Sequence, residues 1–119
     1  MNTPMRVLVA EDEFIIGHDL CDTVQEAGYI VEGPFDRITA AALSFQKNKP
    51  DLAILDIQLG DGIVYPLAEQ MMAEDVPVIF HSGRSTPEEL MRRFPDARAL
   101  SKPCPPAEVI QTMQAMLSD

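Results

Sequence analysis

Five polar side chains stand where apolar runs of the chain end. Glu11 and Asp12 follow Arg6-Val7-Leu8-Val9-Ala10, and Asp56 follows Leu52-Ala53-Ile54-Leu55. Ser82, with Gly83 after it, closes the run begun by Pro77-Val78-Ile79-Phe80, and Lys102 follows residues 97–101. Brought to one edge, three carboxylates within about 5 Å would repel by roughly 3 kcal/mol per pair at an effective dielectric near 20. Lys102 offers one compensating charge and a divalent cation would offer two more. An all-oxygen site with room for water suits Mg²⁺, or Mn²⁺, with the Gln58 backbone carbonyl as a further oxygen ligand.

The elements that must position these groups can be read from the apolar spacing. Strands are expected at 6–10, 29–31, 52–55, 77–80 and 97–101, the second ended by Gly33-Pro34 and the fourth leaving through His81-Ser82-Gly83. Helical spacing joins Ile16, Leu20, Val24 and Ala27 up to Gly28, and Ile38, Ala41, Ala42 and Phe45 before Pro50. Val64, Leu67, Ala68, Met71 and Met72 trace a third helix, and Thr86-Pro87-Glu88-Glu89 starts a short fourth one as a capping box. Val109, Ile110, Met113 and Leu117 mark the last. Strands alternating with helices over short connections imply right-handed crossovers and a parallel sheet covered on both faces, an α/β doubly wound fold. Ligands bind such a sheet at the carboxyl edge, where all five polar groups lie.

A chain of 119 residues is read as one domain, 1–119. Its formal net charge of −10, from 19 acidic and 9 basic residues, opposes direct DNA binding and an anionic membrane surface. No apolar run reaches a membrane span and no signal-peptide pattern opens the chain, so a cytoplasmic location is expected. Cys21 and Cys104 have no metal-ligand spacing and read as reduced thiols.

The layout resembles the receiver domain of two-component response regulators, of the stand-alone type. The matching pieces are Glu11-Asp12, Asp56, Ser82-Gly83 and Lys102-Pro103, in order and at strand ends. The resemblance implies a flavodoxin-like sheet, order 2-1-3-4-5, with five helices. It implies that Asp56 accepts a phosphoryl group from a histidine kinase or phosphotransfer protein, with Mg²⁺ held by Glu11, Asp12, Asp56 and the Gln58 carbonyl. Lys102, Ser82 and the Gly83 amide would meet the phosphoryl oxygens, and Gln58 and Arg84 would tune its lifetime. A cis Lys102-Pro103 peptide is a further implication. The family acts by docking a partner on the face of the fourth helix, fifth strand and fifth helix; a homodimer is one such assembly. Enzymatic action is confined to the domain's own phosphorylation and dephosphorylation.

Glu11 stands where the family more often has Asp, Cys104 where it often has Phe, and Ala99 where an aromatic usually precedes the lysine by three. The Phe80-His81-Ser82-Gly83 run resembles a subgroup paired with atypical histidine kinases. Three rivals are a phosphate shuttle, a degenerate receiver that only binds partners, and a small aspartyl phosphohydrolase. The last needs a second acid two residues past its nucleophile, where this chain has Gln58. Glu13 reads as a solvated acid at a helix start, His81 as structural, and His18 as surface. Arg84, Arg92 and Arg93 read as solvated charges, and the methionines mostly as core.

Overall fold

The computed structural model describes residues 4–83 and 87–118. Strands β1 (Arg6–Ala10), β2 (Ile30–Phe35), β3 (Leu52–Leu55), β6 (Val78–Ser82) and β7 (Arg98–Ser101) form one parallel sheet in the order β2-β1-β3-β6-β7. A two-stranded antiparallel ribbon, β4 (Gln58–Leu59) and β5 (Gly62–Ile63), sits just past Asp56. Helices α1 (Phe14–Glu26), α2 (Ile38–Lys47), α3 (Tyr65–Ala73), α4 (Pro87–Arg93) and α5 (Pro106–Leu117) complete the alternation. This is the expected doubly wound sheet with five helices.

The central strands are apolar on both sides, so each parity feeds a different core. Leu8, Ala10, Ala53, Leu55, Val78 and Phe80 meet α2, α3 and α4 through Phe45, Leu67, Met71 and Leu90. Val7, Val9, Leu52, Ile54 and Ile79 meet α1 and α5 through Leu20, Val24, Val109 and Met113. Of the methionines read as core, Met71 and Met113 are fully buried.

Two boundaries differ from the expectation. The fourth strand of the large sheet keeps His81 and Ser82 within it, pairing with Leu100 and Ser101. The second strand runs through Gly33-Pro34 to Phe35, with a register shift between Leu8↔Glu32 and Ala10↔Phe35. Because β2 is an edge strand, Pro34 can sit there without withholding a needed amide from a ladder. Gly33 takes φ +125°, and a β-carbon there would lie 2.3 Å from the Val9 carbonyl oxygen, so only glycine fits. The extra residues matter for the site: the Glu11 amide donates to the Phe35 carbonyl at 2.8 Å, fixing the start of the acidic stretch. The Thr86 cap and Arg84 lie outside the described residues; α4 itself begins at Pro87.

The ribbon is anchored at long range. Asp61 Oδ1 and Oδ2 accept from the Ile38 and Thr39 amides at 2.5 and 3.1 Å, capping α2 from 22 and 23 residues away. Those backbone bonds hold the Asp61 carboxyl below its ordinary value. A group whose folded value is lowered stabilises above its unfolded value and loses that effect as pH falls through the folded one. Asp61→Ala is therefore expected to melt below the parent chain at neutral pH, with the gap closing in acid; scanning calorimetry across pH checks this.

Candidate functional site

The carboxyl ends of β1, β3, β6 and β7 bring the five polar groups together. The Asp56 amide donates to the Ala10 carbonyl at 2.9 Å, so β3 releases its acid directly beside the acids that follow β1. The Lys102 amide donates to the Ser82 carbonyl at 2.9 Å, which does the same for the other two strands. Gly83 passes beside Lys102, where an added β-carbon would be 3.7 Å from the lysine's own. The Lys102-Pro103 peptide is cis, as is Gly33-Pro34.

Lys102 points into the acids. Its Nζ lies 2.6 Å from Glu11 Oε1, 3.0 Å from Asp56 Oδ2 and 3.4 Å from Glu13 Oε1. Glu11, Asp12, Glu13 and Asp56 each offer a carboxylate oxygen within 4.8 Å of all the others. Glu13 is solvated as expected, its side chain 60% exposed, and one of its oxygens also reaches the cluster. Its amide also donates to Glu11 Oε2 at 3.1 Å. Asp12 is exposed at the rim, while Glu11 and Asp56 are buried. Gln58 lines the same cavity, its side-chain amide donating to the Leu59 and Gly62 carbonyls at 3.3 and 3.4 Å.

His81 is a site residue that the alternation of strand faces does not announce. It shares the α1/α5 side of the sheet with Ile79, and Glu11 turns into that same space. The two meet with His81 Nδ1 3.8 Å from Glu11 Oε1, both side chains nearly sealed from solvent. Gly17 of α1 borders this space: a β-carbon there would crowd Pro34 Cβ at 3.0 Å and meet Glu11 Cγ at an ordinary 3.4 Å. His18 is exposed, its ring tilted by 49° against Phe14 at 4.3 Å.

The two buried acids are pushed apart. Burial works against ionising Glu11, but the nearby His81 ring, Asp56, the Lys102 ammonium and the hydrogen bond from the Glu13 amide outweigh it and hold Glu11 at about 2. Burial raises Asp56 to about 6, helped by its hydrogen bond to Glu11 and by that neighbour's charge, while Lys102 pulls the other way. Burial depresses Lys102, but Glu11 and Asp56 overcome it and raise the ammonium above its ordinary value. The cluster is therefore short of positive charge near neutrality. Hard oxygen donors with that deficit fit a small divalent cation such as Mg²⁺.

A cavity of about 600 Å³ opens over these groups, lined among others by Asp12, Asp56, Gln58, Tyr65, Ser82 and Lys102. The model of the response regulator receiver domain matches residues 7–114, which takes in every group just described. The chain belongs to that family. As a receiver it is 30% identical over 120 residues to the transcriptional regulatory protein PdtaR of Mycobacterium tuberculosis, covering 97% of this chain and 58% of PdtaR. The receiver thus spans little more than half the length of that curated relative. It also superposes on the receiver domain of the PhyR response regulator of Erythrobacter litoralis with a TM-score of 0.83, 32% identity, and 96% and 90% of the two chains covered. SdrG of Sphingomonas melonis Fr1 gives 0.82, 30% identity, and 99% and 100%.

Both cysteines are free. Cys104 donates to Glu108 Oε2 at 3.2 Å, and burial with that carboxylate pushes its thiol to about 12, which leaves it a poor nucleophile. Among the described residues no helix is long and apolar enough to cross a membrane.

Proposed function

We propose that this receiver accepts a phosphoryl group on Asp56 from a histidine kinase or phosphotransfer protein, and that its phosphorylation state is read by a protein partner. The observation that carries this is Lys102 Nζ at 3.0 Å from Asp56 Oδ2, inside a group of four carboxylates. An Asp56 oxygen attacks phosphorus as the bond to the donor's nitrogen or oxygen breaks, giving an aspartyl phosphate and the free donor. Such a transfer needs positioning and charge neutralisation more than covalent help. Lys102 stays paired to Asp56 through its short contact and turns its remaining donors to the incoming oxygens. Ser82 and the Gly83 amide stand at the mouth of the same cavity to take another. A bound Mg²⁺, held by Glu11, Asp12, Asp56 and the Gln58 carbonyl, would supply the rest of the neutralising charge.

Loaded, the receiver docks through α4, β7 and α5 in the cytoplasm, with no chemistry beyond its own phosphorylation and dephosphorylation. PdtaR is named a transcriptional regulatory protein, and a PhyR of Bartonella quintana an anti-anti-sigma factor. Both names fit output through macromolecular binding.

Incubation with acetyl phosphate and Mg²⁺ is expected to add one phosphoryl mass to the intact chain. Asp56→Asn, or chelation of the metal, should abolish the added mass; labelling of Asp56→Asn would overturn the assignment. Gln58→Ala is expected to change the decay of the labelled species several-fold while leaving the Mg²⁺ affinity within about twofold, because its side chain borders the water approach and is not a charged ligand. Chase kinetics by mass and a metal titration by calorimetry check the two halves. An unchanged decay counts against that role.

A further inference from the structure

Tyr65, the first residue of α3, links the acidic cavity to α4. It is one of the residues lining the cavity that holds Asp56 and Ser82. Its ring lies edge-on to Phe80 at 6.1 Å and 88°, and tilted against Phe94 at 5.2 Å. Phe80 and Phe94 in turn touch at 5.0 Å, so the three rings form one cluster between β6 and the end of α4. Phe80 stands two residues before Ser82 in β6, and its register partner in β7 is the small Ala99. No aromatic ring therefore comes from β7 at this level, and Tyr65 of α3 supplies one.

The last residue of α4 closes the connection. The Arg93 guanidinium carbon sits 4.4 Å from the Tyr65 ring centroid and 5.6 Å from that of Phe94. A guanidinium over an aromatic face is held by the ring quadrupole, and the contact is lost when the ring turns. Any change in the cavity that moves Tyr65 must break or drag the Arg93 contact, and α4 carries Arg93.

We propose that Tyr65, acting through Arg93, couples occupancy of the Asp56 cavity to the placement of α4. This rests on the phosphoacceptor reading and names the residues that transmit it. Tyr65 and Arg93 are positioning residues here.

The test is hydrogen exchange of residues 87–93 before and after acetyl phosphate with Mg²⁺, with the labelled fraction of each sample measured by intact mass. Parent and Tyr65→Phe, which keeps the ring, should show the same change in exchange per labelled chain. Arg93→Met, which keeps the stem and loses the cation, should label like the parent yet shrink that change about threefold or more. Tyr65→Leu should shrink it similarly per labelled chain. A merely structural role would lower thermal stability while leaving the labelling-dependent change intact. A full response in Arg93→Met and Tyr65→Leu, or no response in a labelled parent, overturns the coupling alone. A parent that takes no label sinks the phosphoacceptor reading and this inference with it.

Discussion

Lys102→Met is expected to lose about 3 kcal/mol of folding stability near neutral pH in metal-free buffer, because removing one partner of a buried ion pair strands the other. Glu11 has no exposed side-chain surface and sits 2.6 Å from the ammonium, so it cannot turn to water when the lysine goes. Asp56, at 3.0 Å, loses the same partner. The sign with pH follows from the two titrations. Lys102 is raised above its ordinary 10.5, so its contribution is complete below that value and is lost as pH climbs through the folded one. The acids it opposes must be ionised for the loss to be felt, and Asp56 ionises at about 6. The deficit should therefore be widest between about pH 6 and pH 10 and narrow in acid, where the carboxylates take up protons. Millimolar Mg²⁺ should return part of it, by binding the folded chain more tightly than the unfolded one. Urea melts with and without the metal give the number; a variant as stable as the parent at neutral pH would contradict the ion-pair geometry.

Asp56→Asn should move the other way. Burial, the hydrogen bond to Glu11 and that neighbour's charge raise Asp56 from 3.8 to about 6 despite Lys102. The folded state thus holds the proton more tightly than the unfolded one. Ionising Asp56 costs stability that begins to be felt above the unfolded value and is complete above the folded one. The amide cannot ionise, so the variant is expected to gain about 1–2 kcal/mol over the parent near pH 7. That gain should fade as pH falls from about 6 to about 4, the unfolded value. Adding Mg²⁺ should erase it too, since the cation stabilises chiefly the chain that keeps its carboxylate. Thermal melts at several pH values check all three, and a destabilised variant in metal-free buffer at neutral pH would refute the argument. The same substitution that removes the phosphoacceptor would then leave a sturdier protein, a trade common where charges are gathered for chemistry.

The residues that were plain in the sequence are those whose chemistry clashes with their setting. A carboxylate after four aliphatic residues, or a lysine at the end of the last strand, has no reason to be there except the edge it faces. The reach of Glu13 into the cluster was hidden because an exposed acid at a helix start already has a sufficient explanation in the helix dipole. His81 was hidden for a different reason: strand parity separates it from Ser82 correctly, but says nothing of how far Glu11 reaches. The longer carboxylate, beneath Gly17, extends to both Lys102 and His81. In the fold, the large sheet follows from alternation and run length, whereas two-residue strands such as 58–59 and 62–63 are too short to leave a periodic pattern. Gly33-Pro34 read as a stop because proline removes a donor; only the edge position of β2, a property of topology, makes it harmless.

Glu11, Gly17 and Pro34 share one gap, with clearances of 3.0 to 3.4 Å to any β-carbon at position 17. The crowding falls on Pro34, which ties two positions distant in the chain into a single volume. Among relatives, a bulkier residue at 17 should travel with a slimmer side chain at 34. A lineage keeping the proline should give up the glycine only where the proline ring can shift by a few tenths of an ångström.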